Sequence, residues 1–131
     1  MKLYIKSIPT NQILVTFSKV VDNGETALLT ISEEEISSTP NVLFIWNTDS
    51  LENGGFLFAP FASGTRAIAI SHGKKNGVVG CDTEAEKIKK IFFSFERIAQ
   101  NHFYIKSDGK YLNVDENGYI LLSTEQHMWS L

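Results

Sequence analysis

The chain has 131 residues, 43% of them hydrophobic and 21% charged, which suits one globular domain with its own core. Its net charge of −3 and sparse basic clusters argue against nucleic acid as a partner, because phosphate binding requires gathered Lys and Arg. No apolar run approaches the roughly 20 residues that span a membrane, and the single cysteine, Cys81, excludes an internal disulfide. The opening MKLYIKSIPTNQ lacks the pattern of a signal peptide, so a cytoplasmic setting is expected, with non-classical secretion as the other route.

Taken in chain order, the sequence predicts strands over 2–7, 12–17, 26–31 and 42–47, then 55–60, 66–71, 77–81 and 91–96, then 102–107, 110–114, 119–123 and 127–131. Leu3-Tyr4-Ile5-Lys6-Ser7 recurs as Phe103-Tyr104-Ile105-Lys106-Ser107, and Phe56-Leu57-Phe58-Ala59-Pro60 repeats the apolar alternation between them. Asn23-Gly24, Asn76-Gly77 and Asn117-Gly118 each separate two β-rich runs and are expected to form type I′ turns; Asn53-Gly54 marks a join. An aromatic closes each unit: Trp46, then Phe93 or Phe95, then Trp129. Phe56 and Phe103 are expected in the core with them.

Twelve short strands in three pseudo-symmetric repeats (about 1–54, 55–101 and 102–131) predict an all-β chain, a β-trefoil forming a single domain over 1–131. The first and last strands are expected to pair and close a barrel. Two longer inserts follow the third strands of the first two units. Of these, 82–90 is expected to form a helical turn with an Asp or Thr cap.

The stretch FYIKSDGKYLNVDENGYILL, above all Asp108-Gly109-Lys110-Tyr111-Leu112, resembles the repeat of ricin-B-like and fascin-like β-trefoils. The likeness is clear over about 30 residues of the third unit and fades through the first and second. It implies a binding protein that is not an enzyme, since trefoils serve as lectins, actin cross-linkers, inhibitors and cytokines. In ricin-B-like lectins the residue after Gly-Lys-x-Leu is a sugar-holding aspartate; here it is Asn113, with Val15 and Ala69 in the other units. The closing Gln-x-Trp is displaced, reading Gln126-His127-Met128-Trp129. The resemblance therefore implies at most one sugar site. Its candidates are Asn113, Asp115, Asn117 and Tyr119: amides and a carboxylate for hydroxyls, a ring for the apolar sugar face.

Other chemistry finds little support. Asp115-Glu116-Asn117-Gly118 and Asp22-Asn23-Gly24-Glu25 lack the spacing of a calcium loop, and His72, His102 and His127 lack ligand spacing, so no metal and no cofactor is expected. Cys81 lies in a β-rich run and reads as a buried hydrophobe. The stretch Phe56 to Phe61 is rich in rings, and Phe58 and Phe61, if exposed together, mark a protein contact. The expected function is carbohydrate binding of lectin type. The alternatives are a fascin-like cytoskeletal or other protein-binding module, and a protease inhibitor presenting segment 32–41 or 82–90.

Overall fold

A computed structural model describes residues 1–19, 24–74, 77–84 and 88–131. It is all-β, with 52% strand and 4% helix, wound into a nearly closed, barrel-like sheet. Asp22, Asn23 and Asn76, named above, and residues 85–87 of the second insert lie outside the described residues.

The ring of pairing runs around the whole chain. Leu3 faces Trp46, Asn47 faces Phe58, and Gly55 bridges Phe93. Phe95 then faces Ile105, Phe103 faces Trp129, and Trp129 faces Ser7. The predicted pairing of the chain's first and last strands is therefore present, and it removes the edge that would otherwise sit open to a second chain.

All four strands of the third stretch are found: His102–Ser107, Lys110–Val114, Ile120–Ser123 and Met128–Ser130. In the first stretch each predicted strand except Ile13–Phe17 is broken into two short pieces, as in Lys2–Leu3 and Lys6–Ser7.

Alternation explains the core. Leu3 and Ile5, Phe103 and Ile105, and Leu57 and Ala59 point inward and are buried. The largest buried side chains are Trp46 and Trp129. The Trp46 indole donates to the Leu14 carbonyl at 3.0 Å, and the Trp129 indole donates to the Leu112 carbonyl at 3.0 Å. Each ring thus satisfies its polar handle without leaving the core. Phe93 takes the equivalent buried place with no N–H to satisfy, while Phe95 packs from the edge.

The middle stretch departs from the expected frame by one residue. Gly55, not Phe56, faces the closing ring, as Leu3 and Phe103 do. Leu57 receives the Ile68 amide at 3.0 Å, as Ile5 receives that of Leu14 at 2.8 Å. A one-residue slip exchanges the two faces of a strand. Phe56 therefore leaves the core for the outer face, where its ring meets Phe58 at 6.2 Å and Phe92 at 5.5 Å.

The turn chemistry also differs. A type I′ turn needs positive φ at both central residues, and Asn117 does not adopt it; only Gly118 does, at φ 87°. The Asp115 carboxylate replaces that geometry, accepting the amides of Asn117 at 2.8 Å and Tyr119 at 2.9 Å. Asn53-Gly54 follows the same division, and Gly77 has no positive φ.

A helical turn forms in the first insert, while residues 85–87 of the second, where one was expected, lie outside the described residues. Ser32 caps Glu33–Ile36 with a reciprocal Ser32–Glu35 capping box, three glutamates fill the first turn, and Lys6 pairs with Glu33 at 2.9 Å. In 82–84 and 88–90, the described parts of the second insert, there is no helix.

Where hairpins converge, Thr16 and Thr26 share a buried hydroxyl bond of 2.7 Å against Gly80. Arg66, wholly buried, donates to the carbonyls of Gly24 at 2.8 Å and Ser18 at 3.3 Å, tying both ends of segment 18–24.

Candidate ligand-binding site

Strand alternation makes the outer face of the third stretch. Phe103, Ile105 and Leu112 point inward, so Tyr104, Lys106, Tyr111 and Asn113 point outward from two paired strands. The Tyr104 and Tyr111 rings meet edge to face with centroids 5.4 Å apart. Lys106 holds its ammonium 5.9 Å from the Tyr111 centroid and 3.3 Å from the Glu96 carboxylate. Segment 124–127 crosses the end of this face. There the Tyr104 hydroxyl donates to the Gln126 amide oxygen at 3.2 Å, and the Asn113 amide donates to the Glu125 carbonyl at 3.1 Å.

The four residues predicted as a sugar site divide into two groups. Asn113 joins Tyr104, Tyr111 and Gln126. Asp115, Asn117 and Tyr119 form the adjoining turn, in which the Asp115 carboxylate organises backbone. The Tyr119 ring is 51% exposed beside it. Tyr104 and Tyr111 were legible as outward positions, since each stands beside an inward apolar residue. Gln126 was passed over because it stands one residue too early for Gln-x-Trp, yet it reaches the same face through Tyr104.

The corresponding places elsewhere are apolar. Val15 and Ala69 are fully buried, and Tyr4 packs edge to face on Phe44 at 5.8 Å. Burial, followed by the charge of Glu33, raises the Tyr4 phenol above its ordinary range.

Phe58 and Phe61 do not form one exposed patch. Both are half-buried, Lys90 lies 5.8 Å from the Phe58 ring, and Arg66 lies 5.6 Å from the Phe61 ring. The exposed ring nearby is Phe92, at 54%.

Two clefts among the described residues are large enough for a small ligand. One, of about 640 Å³, lies between Phe17, Pro40 and Val79. The other, of about 560 Å³, lies between Phe92, Leu122 and four lysines: Lys89, Lys90, Lys106 and Lys110.

Compared with known proteins, the chain matches no family model and no curated relative. Among the described residues no group of His, Cys, Asp and Glu is placed to hold a metal ion. No helix among them is long and apolar enough to cross a membrane. Cys81 is buried, and its thiol pKa is raised by burial first and by Glu25 second, which opposes thiolate formation.

Proposed function

We propose that the chain is a β-trefoil of twelve strands in three repeats, and that it acts without catalysis as a lectin-type carbohydrate-binding protein. The observation that carries this reading is the pair of tyrosine rings, Tyr104 and Tyr111, with the Asn113 and Gln126 side chains at their rim. Rings take the apolar face of a pyranose, and amides exchange hydrogen bonds with its hydroxyls. The internal bonds of Asn113 and Gln126 fix the orientation of both amides in advance, which lowers the ordering cost of binding. Val15 and Ala69 offer no hydroxyl partner, so the reading assigns one sugar site per chain.

A neutral-glycan array tests it, with Tyr111→Ala and Asn113→Ala as paired variants. Hits that fall about tenfold in both variants, as loss of one hydrogen bond or stacking contact implies, support the reading. An array without hits, or hits unmoved by both changes, refutes it.

One observation favours a second reading, a fascin-like protein-binding module: Phe92 stands exposed against Phe56, with Lys90 5.3 Å from the Phe56 ring. Co-sedimentation with filamentous actin, lost in Phe92→Ser, tests that alternative. The inhibitor alternative calls for an extended loop; residues 33–36 of segment 32–41 form a capped helical turn, which leaves segment 82–90 as its candidate.

A further inference from the structure

An acidic chain that gathers its cations in one place does so against the average of its own composition. Four of its twelve Lys and Arg, namely Lys89, Lys90, Lys106 and Lys110, line the 560 Å³ cleft, and Asp108 is the one acidic side chain among the described residues of its lining. Lys106 also pairs with the Glu96 carboxylate at 3.3 Å, a contact exposed enough to exchange for a ligand anion. The cleft also contains what a small organic ligand needs besides charge. Phe92 presents an exposed ring, Ile91 and Leu122 make an apolar floor, and Ser94 and Ser107 supply hydroxyls. Its volume lies in the range of small-ligand sites.

The cleft also adjoins the tyrosine face. Lys106 belongs to both: it lines the cleft, and its ammonium stands over the Tyr111 ring. A ligand resting on Tyr104 and Tyr111 therefore meets the lysines as its next neighbours. We propose that the ligand is an acidic glycan, an oligosaccharide carrying sulfate or carboxylate groups, with one sugar on the tyrosine face and its charged groups in the lysine cleft. This rests on the glycan reading above and adds the charge class of the ligand. Nucleic acid fits less well. The lysines are confined to one cleft, while a phosphate backbone is followed by a long basic track.

The test is calorimetric titration of the full chain with a heparin-derived tetrasaccharide. The same tetrasaccharide desulfated and with its carboxylates reduced to alcohols, inorganic sulfate and a ten-residue oligothymidylate serve as comparisons. The wild type is expected to bind the sulfated sugar at least tenfold more tightly than the desulfated one. K89Q/K90Q is expected to lose about tenfold or more for the sulfated sugar while keeping its affinity for the desulfated one. Lys2→Gln, an exposed lysine outside the cleft, is expected to change neither. Equal affinity for the two sugars, or sulfated-sugar binding unmoved by K89Q/K90Q, overturns the acidic-glycan proposal. So does oligothymidylate binding as tightly through the same lysines, or inorganic sulfate matching the tetrasaccharide. Failure of the glycan reading looks different. Tyr111→Ala and Asn113→Ala would then leave desulfated and neutral sugars unaffected, whatever the lysines do.

Discussion

Gly80 is the position where one added carbon should do most damage. It lies in Val78–Asp82, paired to Ile68 on one side and Thr26 on the other, so its backbone cannot step aside. A Cβ there would overlap the Thr16 hydroxyl and stand 2.8 Å from the Thr26 hydroxyl and 3.0 Å from the Thr16 Cβ. Those hydroxyls are themselves committed. Thr16 donates to the Ala27 carbonyl at 2.8 Å, and the single Thr26 hydroxyl proton is shared between the Thr16 oxygen at 2.7 Å and the Gly80 carbonyl at 3.2 Å. Gly80→Ala therefore adds an overpacking cost of about 1–3 kcal/mol to the loss of a buried hydroxyl bond, about 1 kcal/mol more, with a further penalty if a hydroxyl is left unpartnered. The expected total is about 4 kcal/mol, or a fall in Tm of about 15 °C at this chain length. Urea unfolding followed by the fluorescence of the buried Trp46 and Trp129 measures it. Thr16→Ala removes the nearest overlapping atom, so T16A/G80A should be less destabilised than the sum of the single changes by about 1 kcal/mol or more. A Gly80→Ala protein within 1 kcal/mol of wild type, or strict additivity in the cycle, would refute the packing account.

His127 gives a pH dependence. Its Nε2 lies 2.8 Å from the Ser7 hydroxyl, its ring packs on Trp129, and burial lowers its pKa from the ordinary 6.5. The fold prefers the neutral ring while the unfolded chain takes up the proton, so stability should fall as pH drops below 6.5 and level off under the lowered value. His127→Gln should flatten that part of the profile in urea titrations between pH 7.5 and 5; an unchanged slope would contradict it. Cys81 should react with a thiol reagent only through opening of the fold, at a rate that rises with urea; prompt reaction in native buffer would count against its burial. Arg66→Ala should cost about 3 kcal/mol or more by leaving the Ser18 and Gly24 carbonyls without their charged donor, read as a lower urea midpoint at unchanged slope.

The strands were legible because inward and outward residues differ in chemistry. Ile105 and Leu112 are apolar beside the polar Lys106 and Asn113, so the third stretch allows only one register. Phe56-Leu57-Phe58 is apolar at every position, and alternation cannot say which face is inner; the pairing of Gly55 with Phe93 decides it. Asn117-Gly118 announced a turn correctly but not its type, because the sequence does not reveal that the Asp115 carboxylate will hold two backbone amides. At the candidate site, Asn113 was visible as a substitution at a position the lectin-like repeat marks. Its company was not. Tyr104 and Gln126 are 22 residues apart and meet only when segment 124–127 folds back over the strand end.

The distribution of polar and apolar residues at matching places argues for one site rather than three. Leu14, Ile68 and Leu112 are all fully buried, and the residue that follows each should face outward in a uniform barrel. Val15 is covered by Ile13, Ile31 and neighbouring rings, and Ala69 is fully buried, its backbone bridged to Lys90. Only Asn113 keeps access to solvent. Converting the first place to a binding surface would require stripping away Phe44 and Val42 as well as exchanging Val15, because those side chains pack on the cluster that buries it. A single Val15→Asn change would bury an amide at a cost of about 1–3 kcal/mol without creating a site. The first two stretches bury this place and the third keeps it open to solvent, which is why the proposed site is assigned to the third alone.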